Sequence, residues 1–358
     1  MKTTKNTFRP FKQVPKLIFG ENSIHRIHEL IEFDLKNNYV LFVVDEYFKN
    51  KKFKIYDLFD SEVEFFASKE SEPKISQIDN LKLKVLKNRK GLKPKLIVAI
   101  GGGSTMDVGK SLSIIFNNEG SAGEYQGWDL VKNKGVHKIG IPTIAGSGSE
   151  ASRTAVLTSN IKKMGINSDF SMFDSIILDP NLLKTVPKEI FIFSAMDCFI
   201  HCVESLQGTF KNELSESIAD KALQMCKSSL LGNEINYPKL LTSSYLGGVS
   251  IVNSEVGICH ALSYGLSLEF DLRHGFANTV VFNQLNEFYP DHFNDFKDIV
   301  KKYNIELPKN ITKQISESKL DRMIQMTLRM ERPLSNALGE NWKEIFDYDT
   351  IKNLYLKI

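Results

Sequence analysis

Long apolar runs are missing from this chain. No stretch reaches the roughly 18 consecutive apolar residues that a membrane-spanning helix requires. The opening segment, MKTTKNTFRPFKQVPKLIFG, is basic but lacks the apolar core of a secretory leader, which runs to roughly 7–15 residues. Cysteine is scarce: Cys198, Cys202, Cys226 and Cys259 are the four present, and their spacing fits no zinc ribbon. So few thiols in so long a chain read as reduced cytoplasmic residues, not as a disulfide frame. Charge of one sign is lacking too. The net charge of +3 gives no case for nucleic acid or for a membrane surface as partner. The densest basic run, residues 49 to 54, reads as a solvated loop. Neither a regular repeat nor a low-complexity tract is visible.

What is present is an ordinary globular composition, with 42% apolar and 25% charged residues. A length of 358 residues predicts two domains and enough core to wall off a site. In the first half, short apolar runs at 39–45 (YVLFVVD), 95–100 (KLIVAI) and 137–143 (HKIGIPT) alternate with amphipathic, lysine-rich segments. That alternation predicts a parallel, doubly wound sheet of Rossmann-like α/β type. From about Pro187 onward the chain reads as one helix after another. The expected division is therefore an α/β domain over 1–185 and an all-α domain over 186–358.

Three glycines follow the run at 95–100 directly, in GGGSTMDVGK. Glycine lets a backbone approach a diphosphate without a Cβ in the way, and the first N–H groups of a following helix face an anion. A tight strand-to-helix turn needs only one glycine. Gly102, Gly103, Ser104 and Asp107 are thus candidate cofactor contacts, with Ser104 as N-cap and Asp107 completing a capping box. The pattern is not G-x-G-x-x-G, so the standard dinucleotide fingerprint is absent here. Asp45 ends the run at 39–45, where a carboxylate either holds ribose hydroxyls or caps a helix. A second small-residue loop, PTIAGSGSEAS, offers Thr143 and Ser147 after a neighbouring strand.

Asp197 and His201 are four residues apart in MDCFIHCVE, so they share a helix face. His260 lies in GICHALSYG and His274 in DLRHGFAN. One carboxylate and three imidazoles make a sound ligand set for iron(II) or zinc. Gly275, directly after His274, would let the chain turn close to an ion. His25, His28, His137 and His292 sit in stretches without chemical pattern and read as surface residues. Cys198, Cys202 and Cys259 neighbour the candidate ligands and read as buried packing.

With PKLIFGENSI, GGGSTMDVGK, PTIAGSGSEAS, LDPNLL and MDCFIHCVES in this order, and with His260 and His274, nearly the whole chain resembles the iron-containing (group III) alcohol dehydrogenase family. The resemblance implies that Asp197, His201, His260 and His274 hold the metal. It implies that Gly101 to Ser104 bind the diphosphate of NAD or NADP, that Thr143 to Ser147 lie near the cofactor with Lys163 beside them, and that Asp45 favours NAD. EYQGWDL, MGINSDFSMFD, MDCFIHCVESLQGTF and CHALSYGL look like one branch of that family, whose members oxidise the terminal primary alcohol of the sugar acid 3-deoxy-D-manno-octulosonate. That branch implies an aminotransferase as downstream partner and a place in lipopolysaccharide biosynthesis, with oxygen as an alternative electron acceptor. Family analogy suggests a homodimer. One departure stands out: where most alcohol-oxidising members carry a second histidine, this chain has Tyr264. Tyr264 and Lys163 are the candidates for catalytic roles, and Arg153 and Arg273 for meeting a substrate carboxylate. The competing readings are a reductase of small aldehydes, a lyase of dehydroquinate synthase type, whose usual Glu and two His do not match the set here, and a sugar-binding protein without catalysis, against which the intact ligand set and glycine loop count.

Overall fold

The computed structural model describes residues 10–67, 72–159 and 163–358; the first nine residues of the opening segment read above lie outside it. The chain separates into two compact units at Val186/Pro187. Lys12 goes with the second unit, because its backbone N–H and carbonyl each hydrogen-bond the Asn253 side chain at 2.8 Å.

Among the described residues the first unit carries nine strands: β1 (Lys16–Phe19), β2 (Val40–Asp45), β3 (Ser61–Phe66), β4 (Leu96–Gly101), β5 (Gly127–Trp128), β6 (His137–Pro142), β7 (Thr154–Thr158), β8 (Lys163–Asn167) and β9 (Ser175–Leu178). Two helices cross between strands, α1 (Ile75–Asn88) and α2 (Gly103–Asn117). Six strands form one sheet in the order β1-β9-β6-β4-β2-β3, every pair parallel. The three expected runs are its centre. β2 is buried on both faces, as parallel strands between layers are. Tyr39, Leu41 and Val43 pack on α2 residues such as Val108 and Leu112. Val40, Phe42 and Val44 pack on the other side with Ile27, Phe48 and Phe53. A smaller sheet, β5-β8-β7, mixes parallel and antiparallel pairs and was not foreseen.

Strand order fixes where a ligand goes. From β2 the chain moves outward to β3, then returns across β2 to β4 and continues to β6. The order therefore reverses between β2 and β4, and ligands of such sheets lie beyond the carboxyl ends of the strands at that reversal. Asp45, Gly101 and Pro142 are the last residues of three adjacent strands, with Val44 beside Ile100 and Gly101 beside Pro142. The two small-residue loops thus leave one edge of one sheet side by side.

The second unit is helical: α3 (Lys188–Gln207), α4 (Glu213–Leu230), α5 (Tyr237–Ser254), α6 (Ile258–Phe270), α7 (His274–Phe282), α8 (Pro290–Lys302) and shorter helices to the C-terminus. Every residue of α3 from Ala195 to Ser205 is buried. A helix buried all round belongs at the centre of its unit, and α4, α5, α6 and α7 all pack on it. No described helix is long and apolar enough to cross a membrane.

Candidate metal centre and glycine edge

α3 presents Asp197 and His201 one turn apart, α6 supplies His260 in its first turn, and α7 begins with His274. Asp197, His201 and His260 are each no more than 3% exposed. Burying a carboxylate costs several kcal/mol unless partners replace its water. The partners here are imidazoles: Asp197 Oδ1 lies 3.7 Å from Nε2 of His201, of His260 and of His274. Burial alone would raise the Asp197 pKa, but the three histidines and the Asn278 amide outweigh it and hold the carboxyl below its ordinary value. Burial keeps His201 neutral by lowering its pKa. A neutral imidazole is the form that ligates.

Donor chemistry and spacing both fit a divalent ion. One ligand atom from each of the four residues falls within 4.8 Å of all the others. Four ligands about 2.1 Å from a tetrahedral ion would stand about 3.4 Å apart, close to the separations seen. Asn278, on α7 one turn beyond His274, brings its amide nitrogen to three of these atoms. Its Nδ2 sits 2.7 Å from Asp197 Oδ1, 3.1 Å from His260 Nε2 and 3.2 Å from His274 Nε2. A partly positive N–H2 group has settled where a cation would be drawn by the same three atoms.

Gly275 permits a close helix approach. A Cβ there would stand 2.4 Å from the carbonyl oxygen of Phe193, so glycine lets the start of α7 rest on the backbone of α3. Tyr264 is half-buried one turn after His260, its ring edge-on to His274 with centroids 6.0 Å apart. The four cysteines are all buried. Two further residues escaped the sequence reading. Glu204 is fully buried, with Oε2 2.5 Å from His260 Nδ1 and Oε1 accepting from the Cys259 N–H at 2.7 Å. Asn278 is the other. Each lies three or four residues past a ligand on the same helix, the spacing that marks a neighbour on one face.

At the glycine edge the structure corrects two details. α2 begins at Gly103 with Gly102 as its N-cap, and no side chain caps it, so Ser104 is not the cap and the expected box is not formed. Asp107 instead turns inward, accepting from Ser149 Oγ at 2.7 Å and from the Val156 N–H at 3.0 Å. Burial pushes its pKa up to about 6. One turn on, buried Lys110 donates to Ser149 Oγ at 3.0 Å, Ser152 Oγ at 3.1 Å and the Thr154 carbonyl at 2.8 Å, and burial lowers its pKa to about 8. Asp107 and Lys110 together pin the second loop to the first helix. Thr143 donates its N–H to the Gly101 carbonyl at 2.9 Å, and a Cβ on Gly103 would stand 2.8 Å from Ser147 Oγ. Glycine is needed there because the two loops touch.

Asp45 caps a single 3-10 turn by accepting from the Tyr47 N–H at 2.9 Å, with Thr105 Oγ1 3.4 Å from its other oxygen. Lys163, which opens β8, is buried in an ion pair with Glu72 at 2.7 Å. Arg153 is held between Asp129 and Asp169, while Arg273 is exposed just before His274. His25 and His28 are exposed as expected. His137 is not a plain surface residue: it is half-buried, edge-on to Phe33 at 4.9 Å.

Comparison with known proteins follows the same lines. The chain is 29% identical over 224 residues to sulfoacetaldehyde reductase of Bilophila wadsworthia, covering 60% of this chain and 57% of that one. It is 32% identical over 205 residues to 4-hydroxybutyrate dehydrogenase of Clostridium kluyveri, covering 54% of each. These matches thus span little more than half the length of the relatives. The fold matches the crystal structure of sulfoacetaldehyde reductase from Bifidobacterium kashiwanohense in complex with NAD+, with a TM-score of 0.80, 20% identity and coverage of 97% and 98%. The profile of iron-containing alcohol dehydrogenases matches residues 15–180, and that of the C-terminal region of the Fe-containing alcohol dehydrogenase family matches residues 191–337. The chain therefore belongs to the iron-containing alcohol dehydrogenase family, whose members use a divalent metal and NAD(H).

Proposed function

We propose that this protein interconverts a primary alcohol and its aldehyde, with NAD as hydride carrier and a divalent ion held by Asp197, His201, His260 and His274. The convergence of four ligand atoms within 4.8 Å carries the reading. When bound, the ion would acidify the substrate hydroxyl and NAD would accept the hydride from its carbon. The chain's own contribution is placement. Gly101 to Ser104 and Thr143 to Ser147 offer backbone and hydroxyl donors to a diphosphate at the strand ends. Asp45 offers a carboxylate to ribose hydroxyls and would repel a 2′-phosphate, so NAD is preferred to NADP. Lys163, held in its ion pair with Glu72, takes no part in proton transfer in this scheme. Tyr264 lines the metal centre; a phenol with an ordinary pKa of about 10 is a poor base at neutral pH.

The substrate we favour is an anion with a terminal primary alcohol, and 3-deoxy-D-manno-octulosonate oxidised at its far end is the specific case. Support comes from the segments at 124–130, 164–174, 196–210 and 259–266, which resemble that branch. The relatives named for sulfoacetaldehyde and 4-hydroxybutyrate also point to short chains with an anionic group at one end and the reacting carbon at the other. With Arg153 engaged by two carboxylates, Arg273 is the better placed cation. An aldehyde product would feed an amino-group transfer.

Turnover of 3-deoxy-D-manno-octulosonate and of 4-hydroxybutyrate by protein loaded with iron(II) or zinc tests this reading. Absorbance at 340 nm with NAD or NADP is followed beside an oxygen electrode. Reduction of NAD with the sugar acid supports the full reading. Activity on 4-hydroxybutyrate alone keeps the metal centre and removes the sugar acid. Oxygen uptake without nicotinamide reduction overturns the cofactor assignment.

A further inference from the structure

We infer that Glu204 is a positioning residue that sets the tautomer of His260, placing the proton on Nδ1 and leaving Nε2 with the lone pair offered to the ion. The inference rests on the metal assignment above. Glu204 lies on α3 three residues beyond His201, and its side chain is fully buried. Oε1 accepts the N–H of Cys259 at 2.7 Å and that of His260 at 3.4 Å, with Tyr289 Oη donating at 3.3 Å. Oε2 meets His260 Nδ1 at 2.5 Å. An ionised carboxylate only accepts, so Nδ1 must be the donor, and a neutral imidazole with Nδ1–H is an acceptor at Nε2.

The far end of the ring agrees with this tautomer. His260 Nε2 faces Asn278 Nδ2 at 3.1 Å. That amide cannot be turned round, because the same nitrogen stands 2.7 Å from Asp197 Oδ1, and two oxygens there would repel. That amide has two hydrogens for three neighbours, so the assignment rests on the Glu204 carboxylate at Nδ1, and the far end agrees with it. The effect extends to a second ligand. His201 stacks on His260 with centroids 4.7 Å apart and planes 16° apart, and its own Nδ1 meets no hydrogen-bond partner among the described residues. Packing against the anchored ring orients it. The sequence makes room for the carboxylate: a Cβ on Gly257 would stand 3.2 Å from Glu204 Oε1 and 3.0 Å from Tyr289 Oη. Glu204 thus ties the helix that carries two ligands to the helix that carries a third.

The rival account is that Glu204 merely caps α6. Glu204→Gln separates the two. A glutamine that keeps the cap through its oxygen turns its N–H2 toward His260 Nδ1, which drives the ring proton to Nε2 and blocks ligation. Partners of this kind typically change metal affinity by about 10–100-fold. Zinc affinity is measured by competition with a chelator, cobalt(II) replaces zinc to read the ligand field, and thermal unfolding of the metal-free protein checks the fold. Zinc affinity weaker by about 10–100-fold, with a changed cobalt spectrum and an intact fold, is the result expected. Equal affinity and an unchanged spectrum overturn the proposal. Nitrogen-15 spectra of histidine in the metal-free natural protein need no variant: His260 must appear as the Nδ1–H tautomer, and an Nε2–H signal overturns the proposal even if Glu204→Gln does not fold. A natural protein that binds no zinc or cobalt defeats the metal assignment itself, which is a distinct failure.

Discussion

Replacing Lys110 with methionine should remove a pH-dependent part of stability that the geometry makes calculable. Lys110 is fully buried, and burial brings its pKa from 10.5 down to about 8. Its three hydrogen bonds and the nearby Asp107 offset that burial only in part. The sign follows from proton counting. Between about pH 8 and 10.5 the unfolded chain still holds the proton that the folded chain has lost, so stability rises with pH across that window. Below pH 8 both states are protonated and the effect is flat. At about 1.4 kcal/mol per pH unit, the window is worth about 3 kcal/mol. Lys138 is buried with a similarly lowered pKa and contributes in the same direction, but it is common to both proteins. Urea unfolding from pH 7 to 10.5 would be compared for the natural protein and Lys110→Met. The difference in unfolding free energy should be level near pH 7 to 8, then grow in favour of the natural protein by about 3 kcal/mol. A difference that stays level through pH 10.5 would show that burial does not lower the Lys110 pKa, so that its hydrogen bonds and Asp107 offset the desolvation in full.

Asp197→Ala should lose bound zinc and turnover together while keeping its helical circular dichroism; full activity in a metal-free variant would end the proposed mechanism. Gly103→Ala places a Cβ 2.8 Å from Ser147 Oγ, so NAD affinity by calorimetry should fall about tenfold, or about 1.4 kcal/mol, with zinc affinity unchanged. Tyr264→Phe should alter kcat by less than about threefold and leave the pH–rate profile in place; loss of an alkaline limb in that profile would instead identify the phenol as the proton acceptor.

The centre of the sheet was legible because parallel strands buried on both faces are written as short, unbroken apolar runs, as at 39–45 and 95–100. Edge strands β1 and β3 carry no such signal: Leu17, Phe19 and Phe65 are partly exposed, and their neighbours alternate. The small sheet was missed for a similar reason, since β7 and β8 break their buried residues with half-buried or exposed ones over only five positions each. Capping was misjudged at Ser104 because the sequence offered a polar residue at the right distance from Asp107. What decided the matter was tertiary: Ser149 and the Val156 N–H claim the carboxylate from inside. A local rule loses wherever a buried partner outbids it.

The candidate metal ligands stood out for a different reason. Histidine is rare here, seven in 358 residues, which made His201, His260 and His274 candidates, while Asp197 was singled out by its place four residues before His201 and the full set by the family resemblance. Glu204 and Asn278 had no such advantage, being drawn from common residue types whose importance is purely positional. Their spacing was nevertheless in view: His201 and Glu204 share one face of α3, and His274 and Asn278 share one face of α7. Two of the three helices thus carry, one turn past a candidate ligand, a side chain that reaches another element: Glu204 on α3 meets Nδ1 of His260 on α6, and Asn278 on α7 meets Asp197 on α3 and His260 on α6. A centre assembled from three helices needs such crossing contacts, because each helix can orient its own ligands but not those of its neighbours. The orienting residue is therefore to be sought one turn beyond a ligand, aimed at a different helix, where periodicity names the position and only the fold names its target.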